Sequence, residues 1–135
     1  MHTVYLSLGT NLGNKEQNLN TAISRIGESV GKVLRTSSYL ATEPWGFDSE
    51  NTFLNAALCV ETKLAPEQLL AATQLIEREM GRREKSVNAV YHDRIIDIDI
   101  LLYDDIHITT PTLTIPHPLM QQRDFVMIPL KEILG

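Results

Sequence analysis

Two aspartates, Asp97 and Asp99, lie inside an apolar run at residues 95–102. The run is short and rich in isoleucine, which is typical of a buried β-strand. Because side chains alternate along a strand, we expect both carboxylates on one face of a sheet. The side chains expected on the other face are Ile96, Ile98, Ile100 and Leu102. Two adjacent carboxylates beside a core need a positive partner, and a divalent cation with a preference for oxygen ligands, first of all Mg²⁺, would supply it. The alternative is an exposed edge strand whose aspartates face water.

A basic segment precedes this strand. Residues 81–94 contain four cationic side chains, Arg82, Arg83, Lys85 and Arg94. An Asp-x-Asp pattern beside several cations suits the binding of metal-bound phosphates. The planar guanidinium of Arg94 could bind a phosphoryl oxygen in two places. A solvated charged surface is the alternative interpretation.

Composition limits the class of protein. The 135 residues suit a single domain, 1–135, with one core. The single cysteine, Cys59, excludes an internal disulfide framework and fits a reducing compartment, so we expect a cytoplasmic protein. The formal charge of −5 argues against a sequence-independent nucleic-acid binder. Apolar runs are too short to cross a bilayer.

Hydrophobic periodicity predicts the order of the regular elements. Strands are predicted at residues 3–8, 33–41, 53–61 and 95–102, and helices at residues 15–30 and 66–80. This is the βαββαβ order of a ferredoxin-like α+β fold, in which two helices cover one face of an antiparallel sheet. The tail, residues 106–135, is expected to add a short C-terminal extension of strands and turns.

The sheet face opposite the helices is expected to bind ligands. It would carry Phe53 and Asn55 from the third strand and both aspartates from the fourth. An aromatic ring, an amide and two carboxylates are unsuited to a hydrophobic core and suited to the surface of a ligand-binding site.

The second predicted helix carries two polar residues of interest. Gln74 and Glu77 are three apart and share one flank of this helix. Exposed polar residues without a function are the default interpretation at such positions.

The tail adds a stiff histidine. His117 lies between Pro116 and Pro118, which restrict its backbone. Such a restraint is costly for a residue without a function, so the pattern indicates a functional histidine. The alternative is a structural histidine that is hydrogen-bonded to the backbone. Arg123 and Phe125 alternate, so one could reach a phosphate while the other stacks on a ring.

Taken together, these segments resemble the 6-hydroxymethyl-7,8-dihydropterin pyrophosphokinase family of folate biosynthesis over nearly the whole chain. The matching segments are SLGTNLG at 7–13, TEPWG at 42–46, FLNAA at 53–57, Gln74-x-x-Glu77 with Gly81-Arg82, RIIDIDIL at 94–101, Pro116-His117-Pro118 and RDFV at 123–126. Each segment is weak by itself, whereas their order and spacing are highly specific.

The resemblance implies a transfer of pyrophosphate from ATP to the hydroxymethyl group of the reduced pterin, which releases AMP. It implies two Mg²⁺ ions at Asp97 and Asp99 and catalytic roles for Arg82 and Arg94. The pterin-pocket positions are Thr42, Pro44, Trp45, Phe53, Asn55 and Phe125. The ATP-contacting positions are Gln74, Glu77, Arg82, Lys85, Arg94, Ile100, Thr114, His117 and Arg123. Loops at residues 9–14, 43–50 and 82–93 would close over the substrates. We expect a monomer that binds neither nucleic acid nor membrane.

The chain departs from the family in the basic loop and near the histidine. Tyr91-His92-Asp93 replaces the usual Trp-Gly-Pro. Glu84 lies near the position where the family commonly has a second loop arginine, for which Arg83 or Lys85 could substitute. Thr112 lies near the position of another arginine that is common in the family. These changes bear on the contacts to ATP and leave the metal site intact.

Two other functions are compatible with the residues alone. One is a different Mg²⁺-dependent nucleotide enzyme, such as a nucleotidyltransferase, on a similar sheet. The other is a non-enzymatic ferredoxin-like module that binds a small ligand. Pterin-dependent release of AMP distinguishes the predicted enzyme from both.

Overall fold

The computed structural model describes residues 1–42, 52–81 and 95–134. The elements in these residues, in chain order, are β1 (His2–Thr10), α1 (Lys15–Ser29), β2 (Gly31–Thr36), β3 (Leu40–Thr42), β4 (Phe53–Thr62), α2 (Pro66–Glu79), β5 (Asp97–Tyr103), β6 (Ile108–Thr109), β7 (Thr114–Ile115) and α3 (Asp124–Ile133), with a 3₁₀ turn at Met120–Gln122.

One antiparallel sheet forms the centre of the structure. Its strands run in the order β2-β4-β1-β5, and β3 pairs with β4 beyond the end of β2. Strand β1 is paired on both sides, whereas β5 lies at an edge. Strands β6 and β7 form a small separate ladder. The helices and the antiparallel sheet confirm the predicted α+β class.

The main core lies between the sheet and the helices α1 and α2. Helix α1 begins at the cap residue Asn14, whose side-chain oxygen accepts a hydrogen bond from the Gln17 N–H at 3.1 Å. Its buried stripe, Leu19, Ala22 and Ile26, follows the predicted helical spacing. This stripe packs on the sheet residues Val4, Leu6, Leu8, Leu58, Val60, Ile98 and Ile100.

The tail contains a helix that the sequence did not predict. Helix α3 packs Val126, Leu130 and Ile133 on the opposite sheet face, against Ala57, Cys59 and Leu101. The expectation of only strands and turns after residue 106 was therefore wrong. Pro129 lies inside this helix, where a proline removes one backbone hydrogen bond, and the buried apolar face outweighs that loss.

The predicted second strand is divided in two. Between β2 and β3, the Ser37 N–H donates to the Ala57 carbonyl oxygen at 2.9 Å, and the Ser37 hydroxyl accepts from the Ala57 N–H at 2.8 Å. The next residue, Ser38, donates from its N–H and its hydroxyl to the Glu132 carboxylate of α3. Arg35 donates to the Ile133 carbonyl oxygen at 2.7 Å. Hydrogen bonds from Arg35 at the end of β2 and from Ser38 just after it therefore bind the C-terminal part of α3.

A β-bulge interrupts the alternation of β5. Tyr5 pairs with Leu102 and Leu6 pairs with Ile100, so Leu101 is the extra residue. Leu101 and Leu102 consequently pack on the α3 side, while Ile100 faces the main core. The prediction that Leu102 shares a face with the isoleucines was wrong because the bulge shifts the alternation by one residue.

None of the helices in the described residues combines the length and the apolar composition that a membrane-spanning helix needs.

Candidate active site

A row of three residues crosses the sheet on the face away from α1 and α2. Gly9 of β1 pairs with Asn55 of β4 on one side and with Asp97 of β5 on the other. Directly paired residues of neighbouring strands share a face. The prediction that the first strand ends at Leu8 was wrong, since pairing continues through Thr10. Strand pairing therefore aligns an amide, a glycine and a carboxylate.

The second aspartate lies in the adjacent row. Ser7 pairs with Ala57 on one side and with Asp99 on the other. Asp97 and Asp99 are both half-buried, and Ile98 between them is buried in the main core. The predicted alternation of carboxylates and isoleucines is therefore confirmed for residues 97–100.

Asp97 and Asp99 offer carboxylate oxygens, which are ligands that Mg²⁺ prefers. The described part of the chain contains no group of three or more histidine, cysteine, aspartate or glutamate side chains able to hold a metal. Mg²⁺ commonly takes one or two carboxylates together with water and substrate phosphates. The donor set therefore fits Mg²⁺ that arrives with a phosphate-bearing ligand.

Glu77 connects helix α2 to the aspartate strand. Its side chain is 5% exposed, and its carboxylate oxygen Oε2 accepts a hydrogen bond from the Ile98 N–H at 2.8 Å. Ile98 lies between the two aspartates on an edge strand, so this bond fixes the strand where they project. Gln74, three residues earlier on α2, is exposed, so the two residues that were predicted to share a flank differ in burial. Glu77 is four residues after the buried Thr73, and this spacing alone could have indicated its burial.

Asn55 presents an oriented amide. The side chain is 2% exposed, and its Nδ2 donates to the Thr42 hydroxyl at 2.7 Å and towards the Leu40 carbonyl oxygen at 3.4 Å. Since both acceptors belong to β3, the amide nitrogen faces that strand. The oxygen Oδ1 is then the atom that can accept a hydrogen bond from a ligand. Two residues predicted for the ring pocket, Thr42 and Asn55, are thus in direct contact.

Two phenylalanines flank this face from different elements. Phe53 is the first residue of β4 and is half-buried. Phe125 lies in the first turn of α3 and packs at the margin of the α3 core. The guanidinium carbon of Arg123 is 5.6 Å from the centroid of the Phe125 ring, within the range of a cation–π contact. Arg123 and Phe125 are therefore neighbours.

His117 is held by two hydrogen bonds to backbone groups, as the alternative interpretation of this residue expected. Its backbone N–H donates to the Leu101 carbonyl oxygen at 3.1 Å, and its Nδ1 accepts from the Leu119 N–H at 3.3 Å. Burial lowers the pKa of His117 first and the Arg123 charge lowers it further, while Asp97 acts in the opposite direction. The neutral ring then carries its proton on Nε2, which can donate to a ligand oxygen.

The remaining predicted residues fall into two groups. Thr114 is half-buried in β7, and the side chain of Ile100 is buried in the main core, so Ile100 could contact a ligand only through its backbone. The second group lies outside the described residues: Pro44, Trp45, Arg82, Arg83, Lys85 and Arg94, with the proposed loops at 43–50 and 82–93.

Comparison with known proteins places the chain in a family. Residues 5–135 match the family model for 7,8-dihydro-6-hydroxymethylpterin-pyrophosphokinase. The chain is 48% identical over 134 residues to a 2-amino-4-hydroxy-6-hydroxymethyldihydropteridine pyrophosphokinase from Porphyromonas gingivalis, covering 98% of this chain and 91% of that one. A protein of the same name from Aquifex aeolicus is 40% identical, covering 98% and 81%.

A solved structure shares the fold. The crystal structure of HPPK-DHPS in complex with substrates superimposes with a TM-score of 0.77 at 15% identity; the match covers 98% of this chain and spans 40% of that longer chain. The family match covers nearly all residues, and the two relatives are covered to 91% and 81% of their own length. The chain belongs to the 7,8-dihydro-6-hydroxymethylpterin-pyrophosphokinase family.

Proposed function

We propose that this chain transfers pyrophosphate from ATP to the hydroxymethyl group of 6-hydroxymethyl-7,8-dihydropterin. The observation that supports this best is the row formed by Asn55, Gly9 and Asp97. Two strand spacings separate the amide from the carboxylate, a distance of about 10 Å between backbones. A flat bicyclic ring bound at the amide would then hold its hydroxymethyl substituent near the aspartates.

The ring pocket proposed here consists of Asn55 with its neighbours Thr42 and Phe53, and of Phe125. The Asn55 oxygen would accept a hydrogen bond from an N–H at the edge of the pterin. Phe53 and Phe125 would lie against the ring faces, because aromatic rings favour offset stacking on flat heterocycles. Pro44 and Trp45 are proposed for the same pocket on the resemblance alone.

The nucleotide would lie towards the tail and the basic segment. His117 could donate from Nε2 to a phosphate oxygen, and Arg123 could supply positive charge beside it. Arg82 and Arg94 are proposed to stabilise charge in the transition state. Further ATP contacts are proposed on resemblance for Gln74, Glu77, Lys85, Ile100 and Thr114.

The proposed reaction needs alignment and no protein nucleophile. The pterin hydroxyl oxygen forms a bond to the β-phosphorus, the bond from that phosphorus to the α–β bridging oxygen breaks, and AMP leaves while the hydroxyl proton passes to solvent. Two Mg²⁺ ions at Asp97 and Asp99 would supply charge neutralisation and a lower pKa for the hydroxyl. The protein groups would hold ring and phosphates in line, which accounts for much of the acceleration in such transfers.

We also propose that the fold is ferredoxin-like. The support is the antiparallel order β2-β4-β1-β5, with α1 joining β1 to β2 and α2 joining β4 to β5. Helix α3 would then be an addition to that fold which covers part of the ligand face.

The function is tested by incubation with ATP, Mg²⁺ and the hydroxymethyl dihydropterin, followed by phosphorus NMR. We expect AMP together with a pterin diphosphate. Asp97→Ala or Asp99→Ala should lower the rate by about a hundredfold or more, with little loss of stability because neither residue fills the core. The exposed Asp105, changed to alanine, is the matched control.

Two outcomes would contradict the proposal. Release of AMP at an unchanged rate without pterin would indicate a different nucleotide enzyme. If both aspartate variants turned over at the rate of the Asp105→Ala control, the assignment of the metal site to Asp97 and Asp99 would be wrong. The assignment of the two substrates would still stand.

A further inference from the structure

The backbone conformation at position 9 does not require a glycine. Among the described residues, the glycines with positive φ are Gly13 and Gly81. Gly9 instead lies in the paired part of β1, where glycine weakens a strand and often marks a close approach by another group. The reason for glycine at this position must therefore be the space that a side chain would take.

A Cβ atom at Gly9 would meet two side chains of the proposed ring pocket. It would lie 3.1 Å from Asn55 Oδ1 and 3.6 Å from Phe53 Cδ1. Two other glycines give useful contrasts. At Gly31 a Cβ would lie 2.0 Å from a backbone oxygen of β4, and at Gly27 it would meet nothing within 4 Å. Gly31 is thus required by the fold, Gly27 is not required sterically, and Gly9 faces groups proposed to bind a ligand.

Asn55 has little freedom to move away. Its amide nitrogen is bonded to Thr42 and directed to Leu40 on β3, while its oxygen lies against Gly9 on β1. The amide thus bridges the space between two strands. A methyl group at Gly9 would displace Oδ1, which is the atom available to a ligand, or strain the bond to Thr42.

We propose that Gly9 is a positioning residue for recognition of the pterin ring. Because Gly9 has no side chain, the Asn55 oxygen and the Phe53 ring can lie close to the backbone of β1. In that position a flat ring bound to the sheet can contact the Asn55 oxygen and the Phe53 ring together. This inference rests on the proposed function. It predicts that a small substitution at Gly9 impairs binding of the pterin and spares binding of the nucleotide.

Affinity measurements test the proposal directly. Calorimetric titrations would use 6-hydroxymethyl-7,8-dihydropterin with Mg²⁺ and a non-hydrolysable ATP analogue present. Gly9→Ala should raise the pterin Kd by about tenfold or more, the scale of a one-methylene misfit in a pocket. The Kd of the ATP analogue should stay within about twofold. Gly27→Ala, at an exposed site with open space, is the matched control.

A double-mutant cycle separates positioning from a general effect on the sheet. If Gly9 acts through the Asn55 amide, Gly9→Ala should cost much less pterin affinity in an Asn55→Ala background than in the wild type. Equal losses in the two backgrounds would overturn the proposal. A parallel loss of affinity for the ATP analogue would also overturn it.

A measurement on the wild type keeps the proposal testable if Gly9→Ala does not fold. With isotope-labelled glycine, addition of the pterin should shift the NMR signal of Gly9 and leave that of Gly27 unchanged. Saturation with pterin without a shift at Gly9 would contradict the inference. Failure of the wild type to bind pterin would instead remove the proposed function, whereas unchanged pterin affinity in a folded Gly9→Ala variant would remove this inference alone.

Discussion

The bond between Glu77 and Ile98 should be one of the most important single polar contacts for stability. It joins α2 to an edge strand, and the carboxylate and the N–H are both buried. Removal of the carboxylate by Glu77→Ala would leave the Ile98 N–H without this acceptor in a place that water reaches poorly. A buried donor that loses its acceptor retains the full cost of desolvation.

The expected loss can be estimated from its parts. A hydrogen bond to a charged group contributes about 1.5–3 kcal/mol, and the truncated side chain leaves a small void. Release of a carboxylate from a buried site offsets part of the loss. We therefore expect Glu77→Ala to lower the free energy of unfolding by about 2–3 kcal/mol. Glu77→Gln keeps an acceptor oxygen and should lose about 1 kcal/mol.

Urea denaturation followed by circular dichroism measures these losses, and amide hydrogen exchange at Ile98 locates them. The matched control is Glu79→Ala on the same helix. Glu79 forms an ion pair with Arg25 at 2.9 Å, but these side chains are 50% and 39% exposed, so the loss should be within about 0.5 kcal/mol. If Glu77→Ala and Glu79→Ala lost the same stability, or if exchange at Ile98 were unchanged, the reasoning would be refuted.

Two further predictions concern glycines and acid sensitivity. Gly27→Ala should raise the free energy of unfolding by about 0.5–1 kcal/mol in urea titrations, because helix α1 has room for a methyl group, whereas Gly31→Ala should lower it by about 2–3 kcal/mol. The Thr3 N–H, followed by His2, lowers the pKa of Asp104. A lowered folded-state pKa adds stability that is fully present above the ordinary aspartate pKa of about 4 and is lost as the pH falls through the folded-state pKa. Asp104→Asn should therefore be less stable than the wild type in urea titrations at pH of about 7, and this difference should shrink on acidification.

The sequence predicted those parts of the fold that depend on local periodicity. The stripes of α1 and α2 and the alternation of Asp97, Ile98 and Asp99 follow from repeats within one element. The β-bulge was not predictable in this way. Ile100, Leu101 and Leu102 are all apolar because both sheet faces are covered there, and a continuous apolar run carries no alternation. A local pattern could therefore not show which of the three faces α3.

The strand pairing of Gly9 and the hydrogen bond of Glu77 to Ile98 were missed for a related reason. Gly9 looked like part of a turn, because glycine followed by polar residues usually marks one. Its pairing with Asn55 and Asp97 depends on the register of three strands, which local composition does not specify. Glu77 lies at a buried helical position, but its partner is a backbone N–H on another element. Contacts of this kind follow only from the assembled fold.

The bulge and α3 together explain how one sheet face serves two purposes. Before the bulge, β5 directs Asp97 and Asp99 to this face; after it, Leu101 and Leu102 occupy the same face. The carboxylates thus remain outside the apolar contact with α3, while the strand still contributes to that contact. Phe125, in the first turn of α3, packs against the same apolar cluster as Leu102. Helix α3 therefore covers the sheet beside the proposed ligand-binding residues, and the position of the bulge sets where that apolar cover begins on β5.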